Sequence, residues 1–152
     1  MDNFYFIVPG EPVAKGRPKF TTRGGFVRAI TPEKTVNYET FVKLSFKQEF
    51  PLSVPFPKDT PLTVHIIAFF SIPKSTSKKK AREMADGYIR PTKKPDCDNL
   101  AKVICDALNG IAYYDDSQIV EITINKYYSG TPEVRVAIEK WNEGRDDLLT
   151  RL

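Results

Sequence analysis

The sequence predicts an α+β fold, in which a mixed or antiparallel sheet packs against two main helices. Apolar residues recur at helical spacing in two stretches, which end near residues 50 and 109. Runs rich in β-branched and aromatic residues precede, separate and follow these stretches. Strands grouped around helices in this way are typical of the α+β class. The 152 residues contain no internal repeat, so we expect a single domain over residues 1–152.

The N-terminal part is predicted to form a strand and a small hairpin. The strand runs from Asn3 to Val8 and ends at Pro9-Gly10, a dipeptide that favours a turn. Residues 20–22 and 26–28 flank a turn signal at Arg23-Gly24-Gly25. We therefore expect these two short segments to pair with each other.

The first long helix is predicted to begin at Thr31-Pro32-Glu33, because proline is favoured at the first helical position. Its apolar spacing continues to about Phe50. Residues 51–61 contain four prolines and are predicted to form a loop. The run from Leu62 to Ile72 is strongly β-forming and predicts a central strand.

The C-terminal half is predicted to hold a second long helix and a strand hairpin. A short helix is expected near residues 78–85, inside a lysine-rich segment. The clearer helix covers Cys97 to Asn109 and is closed by Asn109-Gly110. Alternating residues predict a strand over 118–128, which turns and pairs with a strand at 133–138.

Composition excludes several kinds of protein. Cys97 and Cys105 are eight residues apart on the predicted helix, about 12 Å, which is too far for a disulfide. With one histidine they cannot form a Cys/His zinc site within one chain. Free thiols favour a reducing cytoplasm. No apolar run reaches the length of a membrane span, and the N-terminus does not resemble a signal peptide, so we expect a soluble cytoplasmic protein without a membrane partner.

Two pairs of carboxylates are candidates for chemistry. Asp96 and Asp98 flank the start of the second helix, and Asp115-Asp116 precede the next strand. Asp98 alone is explained by helix capping, and Asp115-Asp116 by ordinary turn chemistry. Asp96 is explained less well, because one cap residue suffices. Carboxylates this close repel one another unless a cation lies between them, and oxygen ligands suit Mg²⁺.

Lys102 follows Asp98 by four residues, in the favourable order for a helical ion pair. Two interpretations stay open at equal weight. Lys102 is either half of a surface ion pair, or a cation beside a metal site that stabilises the scissile phosphate or orients an attacking water. Asp106 falls toward the far end of the same helix and is interpreted as a structural or surface carboxylate.

Basic residues concentrate in two segments, 12–31 and 73–95, with few balancing acids. The usual explanation of a charge run is a solvated surface, but the second segment leads directly into Asp96. Basic loops beside a carboxylate cluster suit a polyanion such as DNA. The candidate DNA-binding residues are Lys15, Arg17, Lys19, Lys78, Lys79, Lys80, Lys93 and Lys94.

The order of these motifs resembles the RusA family of Holliday-junction resolvases. That family carries an Asp-x-Asp-Asn-Leu-x-Lys motif, then Asp-Ala-Leu-Asn-Gly, then Asp-Asp before a strand. The matching pieces here are 96–102, 106–110 and 115–116, and Lys15-Gly-Arg-Pro-Lys19 resembles the start of many relatives. The central run is specific, whereas a bare Asp-x-Asp would be weak. Pro95 departs from the pattern, because some members have a basic residue there that helps to bind DNA.

The resemblance implies a homodimer that binds four-way DNA junctions and nicks two strands symmetrically. It implies Mg²⁺, or Mn²⁺ as a substitute, held by Asp96, Asp98 and Asp116. It identifies Lys102 as a catalytic lysine and gives Asp106 and Asp115 supporting roles. It also makes a phage origin plausible, with roles in DNA recombination and repair. We expect metal-assisted hydrolysis of a phosphodiester by one or two ions. The alternatives are a nuclease for other branched DNA or replication forks, and a non-catalytic basic DNA-binding module.

Overall fold

A four-stranded mixed sheet forms the centre of the computed structural model, which describes residues 3–14, 19–21, 28–30 and 33–143. The strands are β1 (Asn3–Pro9), β4 (Leu62–Ser71), β5 (Ile119–Ser129) and β6 (Glu133–Lys140), in the order β1-β6-β4-β5. The pairs β1–β6 and β6–β4 are antiparallel, and β4–β5 is parallel. The predicted mixed sheet is confirmed, and the parallel pair places a long crossover between β4 and β5. The predicted pairing of the strands at 118–128 and 133–138 is wrong, because β4 lies between β5 and β6.

The small hairpin is also present. Strands β2 (Lys19–Thr21) and β3 (Arg28–Ile30) pair antiparallel, with Lys19 opposite Ile30. β2 therefore lies one residue earlier, and β3 two residues later, than the predicted segments 20–22 and 26–28. The turn signal at residues 23–25 lies outside the described residues.

The helices agree with the predicted pattern. They are α1 (Glu33–Glu49), the short α2 (Lys78–Ala85) and α3 (Cys97–Ala107). The predicted start of α1 at Thr31-Pro32 lies outside the described residues. Neither α1 nor the other described helices is long and apolar enough to cross a membrane.

The core lies on one face of the sheet, where α1 and α3 pack. Alternate residues of the strands are buried there, since successive side chains of a strand point to opposite faces. Phe4 on β1 shows the packing: its ring centre lies 5.0 Å from that of Phe46 on α1 and 5.0 Å from that of Phe56. α3 contributes Leu100, Val103, Ile104 and Ala107 to the same core. This burial fixes α3 against the sheet and leaves its other side free for polar residues.

His65 lies on the opposite face of the sheet, as a partly exposed residue of the central strand β4. Its Nδ1 lies 2.6 Å from Oγ1 of Thr123, and its Nε2 lies 3.4 Å from Oε1 of Glu139. Both neighbours belong to adjacent strands, so the histidine takes part in cross-strand contacts.

Candidate active site

The basic segment reaches α3 through two buried prolines. Pro91 and Pro95 are buried, whereas Lys93 and Lys94 between them are exposed. The peptide bond from Lys94 to Pro95 is cis. The prolines therefore hold the backbone against the protein while the two lysines face solvent directly before Asp96.

Asp96 caps the helix. Its Oδ1 accepts a hydrogen bond from the backbone N–H of Asn99 at 2.9 Å, and its extended backbone precedes the first helical residue, Cys97. The interpretation of Asp98 as the cap is wrong, because helical geometry already begins one residue before Asp98. Asp98 instead lies in the first turn, where the helix dipole favours negative charge.

Asp98 and Lys102 form the predicted ion pair. Nζ of Lys102 lies 3.2 Å from Oδ2 of Asp98, and their side chains are 59% and 74% exposed. A pair this exposed stabilises the fold by at most about 1 kcal/mol, because water and salt screen it. Both groups therefore remain available to a ligand at little cost in folding free energy.

A polar ridge runs along the exposed side of α3. We use this name for Asp98, Lys102 and Asp106, which follow one another at intervals of four residues. Residues at this spacing lie above one another on the same helix face. The ridge spans about 12 Å from Asp98 to Asp106. This spacing is visible in the sequence, from which Asp106 was interpreted as a structural or surface carboxylate and to which the resemblance gave only a supporting role.

Asp116 lies at the far end of this ridge. It begins a single turn of 3₁₀ helix, Asp116–Gln118. Its backbone N–H donates to Oδ1 of Asn109 at 2.8 Å, so a residue interpreted only as a helix stop in fact holds Asp116 in place. Its carboxyl group shares a hydrogen bond with that of Asp106.

The neighbouring carboxyl groups of Asp106 and Asp115 perturb the pKa of Asp116. Partial desolvation raises the pKa of its carboxyl group. The hydrogen bond with Asp106 and repulsion from Asp115 and Asp106 raise it further, whereas the contact with Asn109 lowers it. The structure thus brings two carboxyl groups together at a position where full ionisation of both is unfavourable.

Asp115 has a structural role in this turn. Its Oδ2 accepts the N–H of Ser117 at 3.0 Å, and Gln118 completes a capping box by accepting the N–H of Asp115 at 3.3 Å. The hydrogen bonds with Ser117 lower the pKa of Asp115. The polar-turn interpretation therefore accounts for Asp115, though not for Asp116.

A buried tyrosine fixes the return from α3 to this turn. The hydroxyl of Tyr113 donates to the carbonyl of Cys105 at 2.6 Å. Gly110 adopts a φ of 75°, a left-handed conformation that glycine allows at little cost, and donates its N–H to the carbonyl of Tyr113 at 2.8 Å. The chain therefore folds back on the end of α3 and delivers Asp116 beside Asp106.

Both cysteines are free thiols. Burial raises the pKa of Cys105 to about 11, so its thiol stays protonated and unreactive at neutral pH. Cys97 is exposed at the start of α3. The absence of a disulfide between these two residues agrees with the sequence prediction.

The predicted metal ligands occupy two places. Asp96 and Asp98 lie at the N-terminal end of α3, whereas Asp116 contacts Asp106 at its C-terminal end. Within the described part of the chain, no three His, Cys, Asp or Glu side chains form a group that could hold a metal ion.

The predicted DNA-binding residues are partly described. Lys78, Lys79 and Lys80 are exposed on α2, and Lys93 and Lys94 are exposed before α3. Lys15 and Arg17 lie outside the described residues, as does the side chain of Lys19 in β2. Two further basic residues, which were not among the predicted DNA-binding residues, join this segment to β5: Arg90 in the segment donates to the carbonyl of Lys126, and Lys126 on β5 donates to the carbonyl of Lys93.

Comparisons with known proteins agree with the order of the motifs. A family model described as "Endodeoxyribonuclease RusA" matches residues 9–139 of the chain. The chain is also 39% identical, over 142 residues, to "Uncharacterized protein YqaN" of Bacillus subtilis (strain 168). That alignment covers 92% of this chain and 98% of the relative. The family match includes all of β4, α3 and β5, and with them both carboxylate pairs.

Proposed function

This chain belongs to the RusA family of endodeoxyribonucleases, and from that premise we propose that it resolves four-way DNA junctions as a metal-dependent homodimer. The observation that carries the proposal is the polar ridge of α3, which aligns Asp98, Lys102 and Asp106 on one exposed face and ends beside Asp116. Two acidic groups with a lysine between them match the needs of phosphodiester hydrolysis. DNA in a bacterial or phage-infected cell is the expected substrate, with recombination or repair as the expected role.

The donor atoms fit a hard cation. All the candidate ligands are carboxylates, the donors that Mg²⁺ and Mn²⁺ prefer. Asp96 and Asp98 are exposed, and the crowding of Asp116 with Asp106 is a repulsion that a bound cation would relieve. We propose that Asp96, Asp98 and Asp116 are the ligands. When bound, the metal supplies Lewis-acid stabilisation of the phosphate and an activated water.

The chain's own residues bind and orient the substrate. Lys102 presents its ammonium group at the centre of the ridge, where it can pair with a phosphate oxygen in place of Asp98. The exposed lysines of α2 and of residues 93–94 lie on the segment that leads into Asp96, and they would neutralise flanking phosphates. Asp115 keeps the turn that presents Asp116.

The separation of the ligands suggests a test of whether the two chains of the proposed homodimer share each metal site. Asp96 and Asp106 are ten residues apart, about 15 Å along α3. Joining Asp96 to Asp116 therefore requires a rearrangement within one chain or a contribution from two chains. Mixing Asp96→Asn with Asp116→Asn protein distinguishes these cases. If two chains share each site, mixed dimers regain one intact site and nick DNA, whereas if each chain holds a whole site they stay inactive.

The activity itself is tested by incubating the protein with four-way junctions, forks and linear duplex, with and without Mg²⁺. We expect paired, ligatable nicks in the junction that require the metal. Nicking of forks in preference to junctions would favour the branched-DNA alternative. Binding without nicking at any enzyme concentration would favour a non-catalytic DNA-binding module.

A further inference from the structure

The segment between α2 and α3 is fastened to the edge of the sheet. We call residues 86–95 the basic connector, since they include Arg90, Lys93 and Lys94. We propose that Arg90 and Lys126 are positioning residues, which clamp the basic connector to β5 and so hold Lys93, Lys94 and Asp96 in a fixed place. The proposal rests on the proposed function and assigns two residues to it.

Arg90 makes three contacts with successive residues of β5. Its Nε donates to the carbonyl of Lys126, and its Nη2 donates to Oδ1 of Asn125 at 3.4 Å. Its guanidinium carbon lies 3.6 Å from the ring centre of Tyr127, the distance of a stacked cation–π contact. Only a planar guanidinium can stack on a ring and donate sideways at the same time, so lysine cannot replace arginine here.

Lys126 fastens the other end of the basic connector. Its Nζ donates to the backbone carbonyl of Lys93. The same Nζ lies 5.2 Å from the ring centre of Phe70, and the Nζ of Lys93 lies 5.7 Å from that ring centre. Two ammonium groups thus lie near the same ring at the end of β4, and their positive charge favours a phosphate in this region.

The clamp acts close to the candidate metal ligands. Only Lys94 and Pro95 separate the anchored carbonyl of Lys93 from Asp96, the cap of α3. Pro91 and Pro95 are buried on either side, so the backbone between them has little freedom once the carbonyl of Lys93 is held. Loss of Lys126 should therefore loosen the connector without removing a group that touches the substrate's reacting atoms.

Limited proteolysis tests the clamp without reference to activity. Trypsin cuts after lysine and arginine but not before proline. Because Arg90 and Lys94 each precede a proline, the bond between Lys93 and Lys94 is the one that trypsin can cut within the basic connector. In Lys126→Met we expect this bond to be cut about tenfold faster, because the closed form loses a charge-assisted hydrogen bond. Lys47→Met, an exposed lysine on α1, is the matched control and should cleave like the parent protein. An unchanged rate in Lys126→Met would overturn the clamp.

Substitutions of Arg90 separate positioning from simple charge. Arg90→Lys keeps the charge but loses the three-way contact, so we expect it to resemble Arg90→Gln, with kcat for junction nicking reduced about tenfold and junction affinity changed less than threefold. If Arg90→Lys matches the parent protein, Arg90 acts by charge alone and the proposal fails. If Arg90→Gln does not fold, Asn125→Ala removes one partner of the same guanidinium and should show a smaller loss of the same kind.

The proposed nuclease function and the clamp can be refuted separately. A parent protein that nicks no DNA would refute the proposed function, while faster proteolysis of Lys126→Met would still show the clamp. A parent protein that nicks junctions, with Lys126→Met equal to it in both proteolysis and kcat, would refute only the clamp. Lys126→Arg, which keeps a donor for the Lys93 carbonyl, should recover most of what Lys126→Met loses.

Discussion

The two ends of α3 carry carboxylates in opposite electrostatic settings. At the N-terminal end, Asp96 accepts a backbone N–H, Asp98 pairs with Lys102, and the helix dipole favours both charges. At the C-terminal end, Asp106 lies in the last turn, which has no basic residue, and Asp116 is pressed against it. The first pair helps the helix form, whereas the second opposes it. A local arrangement that costs stability is expected at a functional site, which agrees with the role that we propose for Asp116.

We expect the largest effect on the rate of nicking, when a carboxylate at either end of α3 is replaced. Asp96→Asn keeps a good helix cap and Asp116→Asn keeps the size of the side chain, yet each loses a carboxylate that we assign to the metal. We expect each to reduce kcat by roughly a thousandfold while junction binding, measured by gel shift, remains. Asp115→Asn is the matched control and should lose much less, because an asparagine can still cap the turn. Equal losses in all three would refute the division of roles between Asp115 and Asp116.

Lys102 lies between the two ends of α3. Its substitution tests whether the carboxylates at both ends belong to one site. Lys102→Met should lower kcat by about a hundredfold, since it removes the cation that we propose to pair with the scissile phosphate. The melting temperature should change by less than about 2 °C, because the ion pair with Asp98 is exposed. A large fall in melting temperature with kcat unchanged would make Lys102 a structural residue.

The pH dependence of nicking should report on Asp116 and Asp106 at the C-terminal end of α3. The pKa of Asp116 is raised, so its carboxyl group is protonated at a higher pH than an ordinary aspartate. Nicking should therefore fall as the pH drops through this raised pKa, because a protonated carboxyl group cannot serve as a ligand. Metal affinity measured by titration should weaken over the same range. In Asp106→Asn the neighbouring charge is absent, and the fall should move to lower pH.

The smallest effects are on stability and have opposite signs at the two ends. A raised folded-state pKa means that the folded chain binds more protons than the unfolded chain, so stability falls as pH rises through that range. Asp116→Asn removes the repulsion and should raise the melting temperature at pH 7 by about 1–2 °C in the absence of metal. Asp96→Ala loses the cap and should lower it by about 2–4 °C. Calorimetry without metal measures both, and the same sign at both ends would contradict the comparison.

Sequence patterns predicted most of the fold. Apolar residues alternate along β4 and β6 and recur at helical spacing along α1 and α3, because these are the side chains that become buried. Their order in the sequence therefore predicts these elements. The residue that caps α3 was predicted wrongly. Asp96 and Asp98 are both favourable cap residues, and the choice depends on the residue at which the backbone becomes helical, which is Cys97.

Contacts made through tertiary structure were beyond the sequence. The resemblance groups Asp116 with Asp96 and Asp98 around one metal, but the end of α3 beside which Asp116 lies depends on the buried Tyr113 and its bond to Cys105. The clamp by Arg90 and Lys126 joins residues about 35 positions apart, and local patterns carry no record of such pairings.

The parallel pairing of β4 with β5 has a consequence for folding. All of α2, the basic connector, α3 and the Asp116 turn lie in the one crossover that joins these neighbouring strands. β5 cannot dock on β4 until this long loop closes, and closure entropy makes such non-local pairing slow. Completion of the sheet and anchoring of the basic connector to β5 are thus parts of a single late step. A chain still on the ribosome, with β5 not yet synthesised, already contains the residues that hold the Asp116 turn, but it lacks the strand to which Arg90 and the carbonyl of Lys93 are anchored.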